Sequence, residues 1–168
     1  MDQSPYKTNI RLLVTTGEAE ACARVMASSE PWVSLKRDFD ESLATLTDPS
    51  KEIYITTIDD ALAGFIILDM KGAFVGYIKT VCVFPEWRSR GLGTRLIAFA
   101  EERIFRESPN VFMCVSSFND KAFDLYQRLG YEKTGELKDF IVPGHSEFIL
   151  RKTIGPLRDF TKKSPAIE

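Results

Sequence analysis

The chain has 168 residues, with 22 lysines and arginines against 24 aspartates and glutamates, so its formal net charge is −2 at pH 7. This length suits one ordinary domain, and an apolar content of 44% excludes wholesale disorder. The near-balanced charge gives no electrostatic reason to bind nucleic acid or an anionic membrane, so the sequence predicts that the binding partner is small, such as a small molecule.

The apolar stretches of the sequence are short. Residues 61–68, one of the longest, fall far below the ~20 residues that a bilayer span needs. The N-terminus also lacks the basic-then-apolar order of a signal peptide. The sequence therefore predicts a soluble, cytoplasmic protein.

The cysteines and the single histidine argue against a metal centre. Cys22, Cys82 and Cys114 are widely separated in apolar segments, without CxxC pairs or zinc-ligand spacing. We interpret them as buried free thiols. With His145 as the only histidine, a His-based triad or a His-rich metal site is excluded, and we expect no metal.

The first half of the chain predicts a strand, two helices and three further strands. Apolar positions recur at helical spacing in the two helices, and Pro49 follows the second helix. The three strands are separated by turn residues and should form antiparallel hairpins. In chain order the predicted elements are a strand at 9–14, helices at 17–28 and 38–46, and strands at 52–57, 61–69 and 73–84.

The second half predicts two amphipathic helices and three strands. A helix at 91–105 has a wide apolar face, and a second helix is capped by Asn119 and ends at Gly130 in a left-handed turn. Strands are predicted at 111–116, 131–142 and 146–151, and the last two close with a Pro-Gly hairpin. The elements together predict one α/β (α+β) domain at 9–152, with a mostly antiparallel, mixed sheet of six or seven strands flanked by helices. Residues 1–8 are predicted to be a flexible N-terminus and 153–168 a polar tail.

The segment that follows the strand at 73–84 predicts an anion site. It runs from Arg88 to Thr94 and opens the next helix, with glycines at positions 91 and 93. Glycines let the backbone approach a phosphate, and a helix N-terminus adds partial positive charge. Arg88 and Arg90 are expected to add mobile cations. Neither the P-loop motif nor the dinucleotide fingerprint is met, since Leu96 stands where the latter needs a third glycine. The alternative is a solvated turn before an amphipathic helix.

Two spaced motifs carry a resemblance to a known family. Arg88-Ser89-Arg90-Gly91-Leu92-Gly93 matches R/Q-x-x-G-x-G/A, and the segment 119–131 matches N-x-x-A-x-x-L-Y-x-x-L-G-F/Y. With the order of elements, the sequence resembles the GNAT superfamily of N-acetyltransferases over about residues 9–152. The resemblance implies the GNAT fold and acetyl-coenzyme A as cosubstrate.

The resemblance also implies which residues would contact the cosubstrate. The pyrophosphate would lie on the N–H groups of Arg88, Ser89, Arg90, Gly91, Leu92, Gly93 and Thr94. The pantetheine arm would be lined by Val81, Cys82 and Val83, with the N–H near Val83 facing the thioester oxygen as an oxyanion donor. Asn119 would bond the pantetheine or cap its helix, and both roles are compatible. Further contacts are expected from Lys121 and Phe123.

For the chemical steps, the resemblance implies an acid but no base. Tyr126 occupies the family's general-acid position, where its phenol would protonate the departing thiolate; the alternative is a core tyrosine. The glutamates that other members carry would fall near Tyr77 and Cys114, and this sequence has neither. Deprotonation would then use ordered water or one of four candidates, Glu30, Asp69, Asp139 or His145, each of which could equally be a surface or turn residue.

The acceptor is the least specified part of the prediction. In the family it is contacted by the segments corresponding to 30–36 and 139–145; Trp32 would be a lid or a core plug, and Tyr77 would contact the acceptor. We therefore predict acetyl transfer to a primary amine on a small molecule, an amino acid or a protein N-terminus. The alternatives are a catalytically silent acyl-coenzyme A sensor and, more remotely, a nucleotide-binding regulator. The sequence leaves open whether the chain forms a homodimer.

Overall fold

The computed structural model describes residues 7–162, which form seven β-strands and four α-helices. Every element that the sequence predicts is present. A short 3₁₀ turn, Pro85–Trp87, follows the fourth strand. In chain order the elements are β1 (Thr8–Leu12), α1 (Thr16–Ala27), α2 (Phe39–Leu46), β2 (Glu52–Ile58), β3 (Ala61–Asp69), β4 (Tyr77–Val83), α3 (Leu92–Ile104), β5 (Asn110–Ser116), α4 (Asp120–Arg128), β6 (Glu132–Lys138) and β7 (Ser146–Thr153).

The seven strands form one sheet in the order β1-β2-β3-β4-β5-β7-β6. The pairs β1/β2, β2/β3, β5/β7 and β6/β7 are antiparallel, whereas β4 and β5 are parallel. This order confirms the predicted mixed, mostly antiparallel sheet flanked by helices. Strand β4 is central, since it is fourth of seven. The last strand, β7, lies between β5 and β6.

Strand β4 is shorter than predicted, because it begins at Tyr77 rather than at residue 73. Gly76, just before it, has a φ of +89°, a conformation outside the β region. A Cβ there would lie 2.4 Å from Ile104 Cγ2 and 2.6 Å from the Asn110 carbonyl oxygen. The chain therefore bends tightly at a position that only glycine fits.

Strand β6 is also shorter than predicted and ends at Lys138 rather than at residue 142. Asp139 has a φ of +50°, and its Oδ1 accepts a hydrogen bond from the Gly144 N–H at 2.6 Å. This side-chain bond closes the connection to β7, so the residues after Lys138 belong to a turn.

The chain folds as two compact units. The first contains the chain up to Leu68 together with Thr80–Ala100, and its sheet is covered on both faces. Ile53 and Ile55 belong to a buried cluster with Met26 of α1, while the Tyr54 ring lies 4.8 Å from the Phe99 ring of α3. Because neighbouring strand residues point to opposite faces, α1 and this part of α3 pack on opposite sides of β2.

The second unit contains Asp69–Lys79 and the chain from Glu101 onward. Helix α4 packs on one face of its strands, where the Phe123 ring lies 5.5 Å from the Phe148 ring of β7. The neighbouring residue, Glu147, is paired with Ser116 of β5 and points to the opposite face.

The ends of the chain are only partly described. Residues 1–6 of the predicted flexible N-terminus and residues 163–168 of the predicted tail lie outside the described residues. Thr8 is the first residue of β1 and Thr153 the last of β7, while the domain limits stay predictions. Within residues 7–162, no helix is long and apolar enough to cross a membrane.

Candidate active site

Helix α3 begins without a capping side chain. Its first main-chain bond joins the Arg95 N–H to the Gly91 oxygen at 3.1 Å, which makes Gly91 the N-cap residue. The N–H groups of residues 91–94 therefore have no partner inside the helix. Helices α1 and α2 instead begin with complete capping boxes, and α4 begins with the Asn119 side chain as its cap.

The charge at this helix end is also left uncompensated. The first turn of α3 holds no acidic residue, whereas the first turns of α1, α2 and α4 each hold at least one. A helix N-terminus carries roughly half a positive charge, which acidic side chains normally offset. The start of α3 thus combines free N–H donors with positive potential, and a phosphate group matches both.

The loop before α3 presents its own cations and an open backbone. Arg90 is exposed, and its guanidinium lies 5.0 Å from the centre of the Trp87 ring. Ser89 and Gly91 have φ values of +60° and +77°. A Cβ on Gly91 would meet no atom within 4 Å. The positive φ, rather than crowding, is what favours glycine at this position.

Arg88 is more restrained than the sequence suggested. Its Nε donates to the Val83 carbonyl oxygen at 3.0 Å and its Nη2 donates to Ser29 Oγ at 3.3 Å. We expected a mobile cation, and the structure instead shows a side chain bound to the end of β4 and to the segment after α1. Its main-chain N–H donates to the Pro85 oxygen at 3.3 Å.

The end of β4 exposes one edge of the strand. The Phe84 N–H donates to the Ala63 oxygen of β3 at 2.9 Å, so the N–H of Val83 points to the opposite edge. Pairing of β4 with β5 joins only Tyr77 to Phe112 and Ile78 to Met113. The Cys82 side chain is buried in the cluster under α1. Of the three predicted lining residues, Cys82 could therefore contact a ligand only through its main chain, while Val81 and Val83 are half-buried.

Helix α4 carries the second group of predicted residues. Asn119 Oδ1 accepts from the Ala122 N–H at 3.4 Å, which confirms the predicted cap, and Gly130 has a φ of +90°, as expected for a left-handed end. Lys121 is exposed, and Phe123 packs on Phe148. Burial raises the pKa of Tyr126 to about 12, so its phenol stays protonated at neutral pH.

A cluster that sequence reasoning missed lies on the other face of the second unit. Glu147 of β7 is only 5% exposed, and its Oε1 accepts from Ser116 Oγ at 2.5 Å. Burial raises the pKa of this carboxyl group, and the bond from Ser116 opposes that rise. Burial raises the pKa values of Tyr77 and Cys114, and the charge of Glu147 raises both further; the two side chains also interact with each other. The charge of the Glu147 carboxylate thus acts on both residues, Tyr77 and Cys114, near which a base was expected.

The free cysteines divide into two kinds. Cys22 and Cys82 are buried, as predicted, and burial raises the pKa of each thiol to about 12. Cys114 is only half-buried, which corrects the prediction that all three thiols are sealed in the core. It lies on β5, on the same face as Ser116, because the two residues are separated by one position.

The four side chains considered as a base lie in turns or loops or at strand ends. Glu30 accepts from the Ser34 N–H, Asp69 from the Lys71 N–H and Asp139 from the Gly144 N–H. The exposed His145 ring packs 4.9 Å from the Phe118 ring. Trp32 packs half-buried against the cluster that holds α1, which is the position of a core plug. Its role toward an acceptor stays a prediction.

Metal-ligating side chains do not gather among residues 7–162, where no group of three or more His, Cys, Asp or Glu could hold a metal ion.

Comparisons with known proteins identify the family. The sequence profile of the Acetyltransferase (GNAT) family matches residues 19–131. A curated relative, the uncharacterized protein ML0378 of Mycobacterium leprae, is 28% identical over 130 residues, which cover 73% of this chain and 34% of the relative. The chain thus spans about a third of the length of that relative.

Solved structures share the fold. A GNAT-family protein from Desulfovibrio desulfuricans superposes with a TM-score of 0.75 at 20% identity, over 89% of this chain and 100% of that one. The ribosomal-protein-S18-alanine N-acetyltransferase of Escherichia coli gives 0.69 at 16% identity, over 89% and 96%. Spermidine N-acetyltransferase of Vibrio cholerae, in complex with CoA and spermine, gives 0.68 at 19% identity, over 87% and 95%. The profile match covers well over half of the chain and coincides with the glycine-led helix and the α4 motif, so this protein belongs to the GNAT family of acetyltransferases.

Proposed function

We propose that the chain transfers an acetyl group from acetyl-coenzyme A to a primary amine. The observation that supports this most directly is the N-terminus of α3. It follows β4, carries glycine as its N-cap, and has four N–H groups without a helical partner. In a GNAT family member, a phosphate-bearing cosubstrate explains why this helix alone among the four described α-helices lacks a capping side chain.

Donor binding would use the loop and the edge of β4. The N–H groups of residues 89–94 would donate to the pyrophosphate oxygens, with Arg90 adding positive charge; the N–H of Arg88 is already bonded to the Pro85 oxygen. Val81 and Val83 would contact the pantetheine arm. The N–H of Val83 points away from β3, so it is available to stabilise the oxygen of the tetrahedral intermediate as charge develops there.

Tyr126 would act as the general acid. Its pKa, about 12, keeps the phenol protonated at every pH at which the enzyme would work, so the proton is present when the thiolate leaves. The neutral amine attacks the thioester carbon directly, the carbon–sulfur bond breaks, and Tyr126 supplies the proton that makes the free thiol. The N–H of Val83 would then assist formation of the tetrahedral intermediate, and Tyr126 would assist its breakdown to the free thiol.

The acceptor class follows from the family rather than from a recognisable pocket. The structural relatives include an enzyme named for an alanine of ribosomal protein S18 and another named for spermidine. A primary amine is common to both. We therefore propose a small-molecule amine, an amino acid or a protein N-terminus as the acceptor, and the cytoplasm as the place of action.

The test measures binding and turnover separately. Calorimetric titration with acetyl-coenzyme A should show binding, and coenzyme A but not ATP should compete for the site. Incubation with acetyl-coenzyme A and a panel of an alanine-terminated peptide, spermidine and an aminoglycoside should give a product heavier by one acetyl group in mass spectrometry. Failure to bind acetyl-coenzyme A would overturn the proposal. Binding without acetylation of any amine would favour the silent sensor.

A further inference from the structure

We infer that Glu147 is the general base that removes a proton from the acceptor amine, an assignment that rests on the proposed function. The resemblance implies a base near Tyr77 or Cys114, and both positions here lack a carboxylate. Glu147 occurs on a third strand, β7, and faces the cluster formed by these two residues.

The strand register places the cluster on one face of the second unit. Glu147 pairs with Ser116, and Cys114 follows on the same face of β5. Tyr77 pairs with Phe112, which lies on that face as well. The Phe148 side chain points to the opposite face of β7 and contacts Phe123 of α4. The carboxylate and the α4 helix therefore lie on opposite faces of these strands.

The carboxylate is held by one oxygen. Oε1 accepts the bond from Ser116 Oγ, and this is the hydrogen bond that fixes the side chain. Glu147 as a whole is only 5% exposed. Ser116 thus anchors one carboxylate oxygen, Oε1, and we assign the proton to the other, Oε2.

Among residues 7–162, no cation contributes to the pKa shift of Glu147, whose causes are burial and the bond from Ser116. Tyr77 of β4 and Cys114 of β5 are the titratable groups that respond to its charge, and both are neutral at pH 7 because their pKa values are raised. Leu137 is its partner on β6. Arg151, further along the same face of β7, donates its Nε to Asn110 Oδ1 at 2.8 Å. A buried carboxylate without a paired cation attracts an ammonium group and readily accepts its proton.

The proton balance is complete with the residues named. The ammonium group gives one proton to Glu147, and the lone pair of the resulting amine forms the bond to the thioester carbon. The carbon–sulfur bond then breaks, and Tyr126 gives its proton to the thiolate. The second nitrogen proton passes through solvent to restore Tyr126, and Glu147 releases its proton to solvent, so one proton is released in each turnover.

The variant Glu147→Gln tests the assignment, because it keeps the shape and removes the basic oxygen. With the best acceptor from the amine panel, kcat/KM at pH 7 should fall by about 10²- to 10⁴-fold, the usual contribution of a general base, while the KM for acetyl-coenzyme A stays unchanged. The loss should shrink as the pH rises toward the pKa of the amine, about 8 for a peptide N-terminus, since a neutral amine needs no base.

Two further variants separate a base from a structural residue. Ser116→Ala removes the bond that opposes the rise in the Glu147 pKa, so the acidic limb of the pH profile should move to higher pH. Glu132→Gln makes the same change of charge at an exposed position of β6 and should leave the profile unchanged. Thermal melting of each variant shows that it is folded.

The outcomes distinguish this assignment from the proposed function. If the wild-type protein acetylates an amine and Glu147→Gln does so equally well, or with a deficit that is constant across pH, Glu147 is not the base and the acetyltransferase activity stands. If the wild-type protein binds no acetyl-coenzyme A or acetylates no amine of the panel, the proposed function is overturned, and the assignment of Glu147 is overturned with it.

Discussion

The rings of Tyr126 and Tyr131 lie 6.1 Å apart at an angle of 63°, and the main-chain N–H of Tyr131 donates to the carbonyl oxygen of Tyr126 at 3.0 Å. The two phenols are neighbours, yet their settings differ. The Tyr131 hydroxyl is buried beside the Glu101 carboxylate without a hydrogen bond of normal geometry, and burial raises its pKa. Lys152 donates to the other Glu101 oxygen at 2.7 Å. The pair therefore provides a catalytic candidate and a matched structural control.

Replacing Tyr126 by phenylalanine should lower kcat by about 10- to 1,000-fold, because the proton for the thiolate is lost while the ring still packs. The affinity for acetyl-coenzyme A should stay nearly unchanged. Steady-state kinetics and calorimetric binding on the same preparation measure both effects.

Tyr131→Phe is the control for that experiment. Its turnover should match that of the wild-type protein, and its unfolding free energy should change by no more than about 1 kcal/mol. Equal losses of activity in the two variants would mean that Tyr126 acts through packing, and the acid role would be withdrawn.

The start of α3 can be tested with two glycines that share a backbone conformation. Gly91 and Gly72 have φ values of +77° and +86°, and a Cβ at either would meet no atom within 4 Å. Gly91→Glu should weaken acetyl-coenzyme A binding by about tenfold or more, because a carboxylate then competes with the pyrophosphate at the helix end. Titration calorimetry measures the change.

Gly72→Glu should cost the same strain, about 1–2 kcal/mol of stability, without a change in affinity. The comparison removes the contribution of strain from the result. Wild-type affinity in a folded Gly91→Glu protein would refute the phosphate-binding role of this loop.

A third prediction concerns the pH dependence of stability. Glu18 accepts from Arg11 Nη2 at 2.6 Å and from the N–H groups of Val14 and Thr15, and these bonds lower its pKa from 4.5 to about 2. A carboxyl group whose pKa is lowered on folding stabilises the protein above its unfolded pKa, and this contribution is lost as the pH falls through the folded value.

Glu18→Gln should therefore lower the unfolding free energy at pH 7 by about 1 kcal/mol, and the difference should vanish between pH 4.5 and pH 2. Glu20→Gln, in the same helix, removes only an exposed contact with Arg24 at 3.7 Å and should change stability by less than about 0.5 kcal/mol. Urea denaturation at several pH values measures both. A Glu18→Gln deficit that persists unchanged to pH 2 would contradict the charge-based explanation.

The fourth prediction concerns the thiols. Cys114 is half-buried, whereas Cys22 and Cys82 are buried with pKa values of about 12. In the native protein a thiol reagent should therefore modify Cys114 first, and the other two only after unfolding. Mass spectrometry after brief labelling reads out the position. Cys114→Ser should abolish thiol labelling of the native protein. The same variant would remove the protein's own thiol signal from assays that measure release of coenzyme A. Labelling of Cys22 before Cys114 would contradict the packing described here.

Local residue chemistry made much of this fold predictable. Asn119 and Gly130 have the types that begin and end a helix, so the limits of α4 followed from them. The glycines at 91 and 93 marked the predicted anion site in the same way, and the positive φ of Gly91 is a property of that residue's own backbone.

Glu147 could not be found in this way, because its importance depends on which strand lies beside it. The sequence predicted a closing hairpin of β6 and β7, but nothing local shows that β7 inserts between β5 and β6. The only signal was a carboxylate inside an apolar strand, next to Phe148. The restraint of Arg88 by Ser29 was equally invisible, since the two residues are 59 positions apart.

The glycine that begins α3 also links cofactor supply to the lifetime of the protein. A helix that lacks its own cap is easier to fray, and each cap that a side chain would have supplied is worth about 1 kcal/mol. Under the proposed function, acetyl-coenzyme A bound there would stabilise only the folded chain, by about 2.7 kcal/mol at a concentration one hundred times the dissociation constant. In a cell short of acetyl-coenzyme A, the chain would then unfold more often and meet proteases sooner, so its abundance would follow the supply of its proposed substrate.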